Sequence, residues 1–250
     1  MSQYEFATEI VALPSEGKCY PESNPLSSGQ IELKYMTARE EEILATQSLI
    51  KKGVVLDKLF EAIIVDKKIN PDDILLGDKN AIMLATRVLG YGPEYKVEIA
   101  LDNGEKEEVS IDLGKVQTKD IDITRLSREN RYTFKTSLGS EIVFKLLTHG
   151  DEKKIDADVK AMQRLSKDGG NELTTRYRYM ILSVDGKEDT KSITDFINNR
   201  FLARDTKAFR EYLKELQPDI KMEFDFHNPE TGEMEVRPIP MGIGFFWPTE

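Results

Sequence analysis

The chain has 250 residues, of which 39% are hydrophobic and 32% are charged, so it can bury a substantial core. Its 45 acidic residues outnumber its 35 basic residues, and the resulting net charge of −10 argues against a nucleic-acid partner. The single cysteine, Cys19, excludes an intrachain disulfide. No apolar run is long enough to span a bilayer, and no secretory leader pattern opens the chain, so we expect a soluble, intracellular protein with no membrane contact.

Residues 1–36 predict an extended, turn-rich arm that ends in a strand. The stretch LPSEGKCYPESNPLSSGQ is dense in residues that favour turns, and IELKYM alternates as a half-buried strand does. The arm has two alternative roles: it adds to the sheet of a neighbouring protein, or it leads into a sheet of its own chain. We expect Cys19 to be buried or half-buried rather than nucleophilic, because no histidine lies near it in the sequence.

Residues 37–114 predict a helical region followed by a hairpin. Thr37 and Glu40 form a capping-box pattern, and the helix they open is expected to run to Gly53. Further helices are predicted at 55–66, after the Asn70 cap with Pro71 at its first position, and from Asp78 to about Gly90. Alternating runs on both sides of Asp102-Asn103-Gly104 predict the hairpin.

Residues 124–250 predict a hairpin, helices and a C-terminal hairpin, after a stretch at 115–123 where periodicity fades. The second hairpin is expected in RYTFKTSLGSEIVFKLL and the third around His227 to Gly232. Helices are predicted at Asp151 to Leu165, Glu172 to Ser183, Ser192 to Arg200 and Thr206 to Leu216. Helices and antiparallel hairpins in this order predict an α+β fold with three hairpins.

The sequence carries no recognisable catalytic or metal-binding motif. His149 and His227 have no cysteine or histidine at ligand spacing, and we expect both at the surface or in turns. We therefore predict no catalytic residue, no metal ligand and no cofactor. An enzyme with an unrecognised site remains the alternative, and a pocket with convergent, perturbed titratable groups would favour it.

The chain ends in a cluster of large apolar side chains: Phe245, Phe246, Trp247 and Pro248. Chain ends are usually poorly ordered unless something holds them. The rings either pack under the last hairpin as part of this protein's own core, which we prefer, or enter an interface with another protein.

Several stretches together resemble the baseplate hub family of the T-even-type bacteriophages. They are VALPSEGKCYP, GQIELKYMTAREEEIL, LIKKGVVLDKLFEAII, ILLGDKNAIMLATRVLGYGPEY and the terminal GFFWP. The match covers about the first hundred residues and the last few. The combination of LPS-x-G-x-x-Y with a GD-x-x-A-x-x-L-A-x-R helix is uncommon, which makes the resemblance moderately specific.

The resemblance implies cysteine pairs of the CP-x-C-G kind in two hairpins of many relatives, as in a zinc knuckle. This sequence departs from that pattern, since 100–104 reads ALDNG and 226–232 reads FHNPETG. The hairpins are therefore zinc-knuckle-like but lack the cysteine ligands, and ordinary turns must replace any stabilisation by zinc.

The resemblance also implies a non-enzymatic role in building the baseplate hub, through contacts with other hub or tail proteins. The alternative role is a transient tail assembly chaperone that is absent from the mature virion. Both place the protein in the host cytoplasm during assembly, and the first also places it in the virion tail. The sequence leaves the oligomeric state open. The residues predicted to contact a partner are Leu13, Pro14, Tyr20, Phe245, Phe246, Trp247 and Pro248.

Overall fold

The computed structural model describes residues 7–101, 103–165, 172–229, 231–241, 245 and 246. These residues form eight α-helices: α1 (Ala38–Ala45), α2 (Gln47–Lys52), α3 (Val55–Ile63), α4 (Leu76–Tyr91), α5 (His149–Leu165), α6 (Glu172–Met180), α7 (Thr190–Asn199) and α8 (Ala203–Leu216). They form nine strands: β1 (Thr8–Ala12), β2 (Gln30–Lys34), β3 (Glu94–Ala100), β4 (Lys106–Asp112), β5 (Tyr132–Lys135), β6 (Glu141–Phe144), β7 (Ile181–Val184), β8 (Glu223–His227) and β9 (Met234–Pro238).

The strands form four small antiparallel sheets, so the predicted α+β class is confirmed. Three sheets are two-stranded ribbons, β1–β2, β3–β4 and β8–β9, and the fourth has the order β5–β6–β7. All three predicted hairpins are present, as β3–β4, β5–β6 and β8–β9. In β3 every second side chain is buried, namely Tyr95, Val97 and Ile99, as the alternation in the sequence requires.

Two predicted helices differ from the structure near the N-terminal end. The helix expected from Thr37 to Gly53 is broken at Thr46, whose backbone is extended and whose hydroxyl donates to the Glu42 carbonyl at 2.7 Å. A threonine that bonds the preceding turn weakens the helix at that point. The helix predicted after Asn70 is a single 3₁₀ turn, Pro71–Asp73, although Asn70 caps it as expected.

The helix predicted from Glu172 to Ser183 was wrong in its last turn. It ends at Met180, and residues 181–184 form β7, which pairs with β6. A short apolar run such as Ile-Leu-Ser-Val does not show by periodicity whether it is helix or strand. The pairing of this run with β6 of the second hairpin makes it a strand.

Buried side chains from all three predicted regions belong to one continuous apolar cluster, which runs from Leu13 to Phe246. Its largest fully buried side chains are Phe60, Phe144, Phe196, Phe209 and Phe245. The division into 1–36, 37–114 and 124–250 stays a prediction.

A buried carboxylate fastens the N-terminal arm to helix α4. Asp78 is fully buried and accepts hydrogen bonds from the Ser15 amide at 2.9 Å, the Ser15 hydroxyl at 2.7 Å and the Tyr20 hydroxyl at 2.6 Å. The Tyr20 oxygen in turn accepts from the Leu75 amide at 2.9 Å, directly before α4 begins. Burial raises the pKa of the Asp78 carboxyl, while the bonds from Tyr20 and Ser15 oppose that rise.

The residue before this aspartate lies against the backbone of a distant segment. A Cβ added to Gly77 would lie 1.8 Å from the Pro218 carbonyl oxygen, so only glycine fits between α4 and the chain that follows α8. Next to this contact, the Asn80 amide donates to the Asp219 carboxylate at 3.0 Å. The start of α4 therefore binds both the arm and the chain after α8.

We expect Asp78→Asn to lower the free energy of unfolding by about 1–3 kcal/mol, because an amide nitrogen would face hydroxyls that now donate to a carboxylate. Tyr20→Phe should cost a similar amount, and the double variant should cost less than the sum because the two groups share one bond. Urea unfolding measures all three. The exposed neighbour Asp73→Asn is the control, and an equal loss there would contradict the assignment.

Gly77→Ala is expected to destabilise the protein by roughly 1–3 kcal/mol, although alanine normally stabilises a helix relative to glycine. The matched control is Gly90→Ala in the same helix, where the added methyl would meet only the end of the flexible Met36 side chain. Thermal unfolding of the two variants should differ clearly. Similar melting temperatures would contradict the close contact with Pro218.

Candidate functional site

The arm residues predicted to contact a partner lie inside this chain. Leu13, Pro14 and Tyr20 are buried, and Tyr20 is held by Asp78 and Leu75. The arm forms a ribbon of its own chain, since β1 pairs with β2 along its whole length. In this conformation the three side chains offer no surface, and their contact with a partner stays a prediction.

The terminal phenylalanines also pack into this chain. Phe245 is fully buried with its ring centroid 5.2 Å from that of Tyr95, and Phe246 lies edge-on to it, also at 5.2 Å. The Tyr95 hydroxyl donates to the Pro240 carbonyl at 3.0 Å. These contacts favour the intramolecular alternative for the two rings. Trp247 and Pro248, also predicted to contact a partner, lie outside the described residues.

The Arg87 guanidinium is buried beside the rings of Tyr91 and Tyr95. Arg87 is the arginine of the GD-x-x-A-x-x-L-A-x-R stretch, but the sequence did not predict this role for it. Arg87 donates to the carbonyls of Gly92 and Glu94, both at 3.2 Å, and lies 5.0 Å from the ring centroid of Tyr91. Burial lowers the pKa of this guanidinium. Arg87 thus fixes the turn between α4 and β3, and Tyr95 lies on β3 directly after this turn.

His149 was predicted to lie at the surface or in a turn, and this was wrong. It is the first residue of α5, is buried, and bonds the Asp57 carboxylate at 2.7 Å through Nε2. Its ring meets that of Phe60 edge-on at 5.6 Å. Sequence spacing gave no sign of this contact, because Asp57 lies on α3, far away in the chain.

Three atoms that could bind a metal ion lie within 4.8 Å of one another. They belong to Asp57, Asp72 and His149. The ammonium of Lys153 lies there instead, 3.1 Å from Asp57 and 2.8 Å from Asp72. The arrangement is an internal ion-pair network that joins α3, the Pro71–Asp73 turn and α5. The bond to Asp72 raises the pKa of Lys153, so the ammonium is the stable form.

Cys19 is buried, as expected, with its sulfur 3.4 Å from the Tyr132 hydroxyl. Burial raises the pKa of the thiol to about 11, so the thiolate is scarce at neutral pH. Nucleophilic chemistry therefore does not suit this residue.

Open cavities and exposed apolar side chains mark the surfaces that could contact a partner. One cavity of about 560 Å³ follows the C-terminal half of α8, and another of about 430 Å³ lies beside the end of α3. The large apolar side chains that are well exposed among the described residues are Ile10, Val65, Leu138, Leu173, Leu202, Met234 and Val236. Within the described part of the chain, no helix is both long and apolar enough to cross a membrane.

We expect Phe245→Ala to lower the free energy of unfolding by about 3–5 kcal/mol, because it empties a fully buried site against Tyr95. Leu138→Ala, at an exposed turn position, is the control and should change little. Urea unfolding decides between core and interface. A fully stable Phe245→Ala variant that lost a partner would favour the interface.

Comparison with known proteins gave one family. A family model described as T4 bacteriophage base plate protein matches residues 7–246, which is nearly the whole chain. No curated protein and no solved structure matches the chain. A match of this length shows that the chain belongs to the T4 bacteriophage base plate protein family.

Proposed function

We propose that this chain is a non-enzymatic component or assembly protein of the baseplate hub in a contractile phage tail. The observation that carries the proposal is the family match over residues 7–246, which gives the protein a structural role in a phage baseplate. The stretches LPSEGKCY and ILLGDKNA resemble the hub family, and this resemblance supports a place in the hub of the baseplate. The partners are then other hub or tail proteins, first in the host cytoplasm and then in the tail.

The state of the chemically capable side chains supports a non-enzymatic role. Asp78, His149 and Cys19 are buried, and each is engaged with a neighbour in its own chain. Asp205 likewise accepts from the amide and the hydroxyl of Ser137, at 2.8 and 3.1 Å. These groups hold segments together, and their burial keeps a substrate away from them.

Quantitative mass spectrometry of mature phage particles, beside a lysate of assembling tails, tests the proposal. We expect the chain in particles at a fixed copy number per tail. Abundance in the lysate with absence from particles would support the transient chaperone instead. Absence from both particles and tail intermediates would contradict a baseplate role in either form.

A further inference from the structure

We infer that a groove beside α8 binds a carboxylate-rich segment of another baseplate protein. This inference rests on the proposed function and names the surface through which it acts. The α8 groove is defined here as two adjoining cavities, of about 560 and 210 Å³, that share Lys221 and Glu223.

The walls of the α8 groove are fixed by backbone pairing. The Lys119 amide donates to the Asp219 carbonyl and the Lys221 amide donates to the Gln117 carbonyl, both at 2.8 Å. The Lys119 ammonium also donates to carbonyls at the end of α8, those of Lys214 and Gln217. A site whose walls are already in place loses little entropy when it binds.

The lining of the larger cavity is cationic, although the whole chain has a net charge of −10. Its charged side chains are Lys119, Arg210, Lys214, Lys221, Asp219 and Glu223. Asp219 is already engaged, since it accepts from the Asn80 amide and from the amide of Ile220. A concentration of positive charge on an acidic protein attracts a negatively charged partner to that place.

Two of these cations are available to a partner. Lys214 and Lys221 are exposed, and neither forms an ion pair with any other described residue. Arg210 is engaged differently, since it donates to the Tyr177 hydroxyl at 3.0 Å. Burial lowers the pKa of Lys119, the Asp219 carboxylate opposes that shift, and repulsion by the nearby Lys214 ammonium adds to it. A carboxylate placed between Lys119 and Lys214 would relieve this repulsion.

The α8 groove also has an apolar part, which defines the partner further. Leu213, Ile220 and Met222 line the larger cavity, beside the cations. The apolar residues of the smaller cavity are Val116, Phe224 and Val236, of which Val236 is 64% exposed, and its charged residues are Lys115, Lys221, Glu223 and Asp225. The fitting segment therefore carries carboxylates toward α8 and apolar side chains toward β9. A nucleic acid offers no such apolar end, and the charge of the whole chain repels it.

The test uses phage whose copy of this protein carries an affinity tag. Tails and tail intermediates are isolated on the tag and treated with a zero-length carbodiimide, which joins an amine only to a carboxylate in direct contact. Cross-linked peptides are then identified by mass spectrometry. We expect Lys214 or Lys221 joined to Asp or Glu of another baseplate protein.

A double charge reversal, Lys214→Glu with Lys221→Glu, is expected to remove these cross-links and to lower the yield of the complex at least about tenfold. The matched control is Lys154→Glu with Lys160→Glu on the exposed side of α5, which changes the net charge equally. The control should keep the wild-type yield. Equal melting temperatures for both variants show that folding is not the cause, and reversing the mapped carboxylate to lysine should restore binding.

The inference is overturned if Lys214 and Lys221 link only to carboxylates of this chain or of a second copy. It is also overturned if nuclease treatment disrupts the complex, or if the two variants behave equally. Isotopic mixing separates links within one copy from links between copies. If baseplate proteins co-purify but link elsewhere, this inference fails alone. If none co-purifies with the wild-type chain, the proposed function fails as well.

Discussion

The Asp78 carboxylate is the interaction on which the arrangement of this chain depends. A fully buried carboxylate is strongly unfavourable unless donors surround it, and Ser15 and Tyr20 supply them. Those donors belong to the arm, whereas the carboxylate belongs to α4. Helix and arm therefore stabilise each other, because either one alone would leave buried polar groups without partners. The same helix end also meets the chain after α8 at Gly77.

This anchor explains the residues that carry the family resemblance. In LPS-x-G-x-x-Y, the serine and tyrosine bond Asp78, and a Cβ on Gly17 would lie 2.4 Å from the Ser27 carbonyl oxygen. In the GD pair, Gly77 allows the close approach to Pro218 and Asp78 accepts the bonds. These residues of the motif maintain the fold, and the surface that we propose for partner recognition is the α8 groove.

The charges of the proposed partner surface are arranged differently from those of the interior ion pairs. Lys79 pairs with Glu152 and Lys34 pairs with Glu40, and in both pairs the charged groups face inward. Lys214 and Lys221 of the α8 groove are the contrasting case, since they lie exposed on an acidic protein and remain open to a partner. Internal ion pairs fix the shape of the chain. Unpaired charges on a preformed groove attract a partner of opposite charge and fix the position in which it binds.

The sequence by itself determined much of the local structure and the α+β class. The Asn70 cap, the Gly53 stop and all three hairpins follow from interactions between residues a few positions apart, which a sequence displays directly. Only the tertiary structure decided the pairing of β7 with β6, the burial of His149 against Asp57, and the packing of Phe245 on Tyr95. It also brought together the cations of the α8 groove, which come from α8 and from two other segments of the chain. These features depend on which distant segments meet. Burial and strand pairing are set by the packing of the whole core, and the spacing of residues along the chain does not show which segments will pack together.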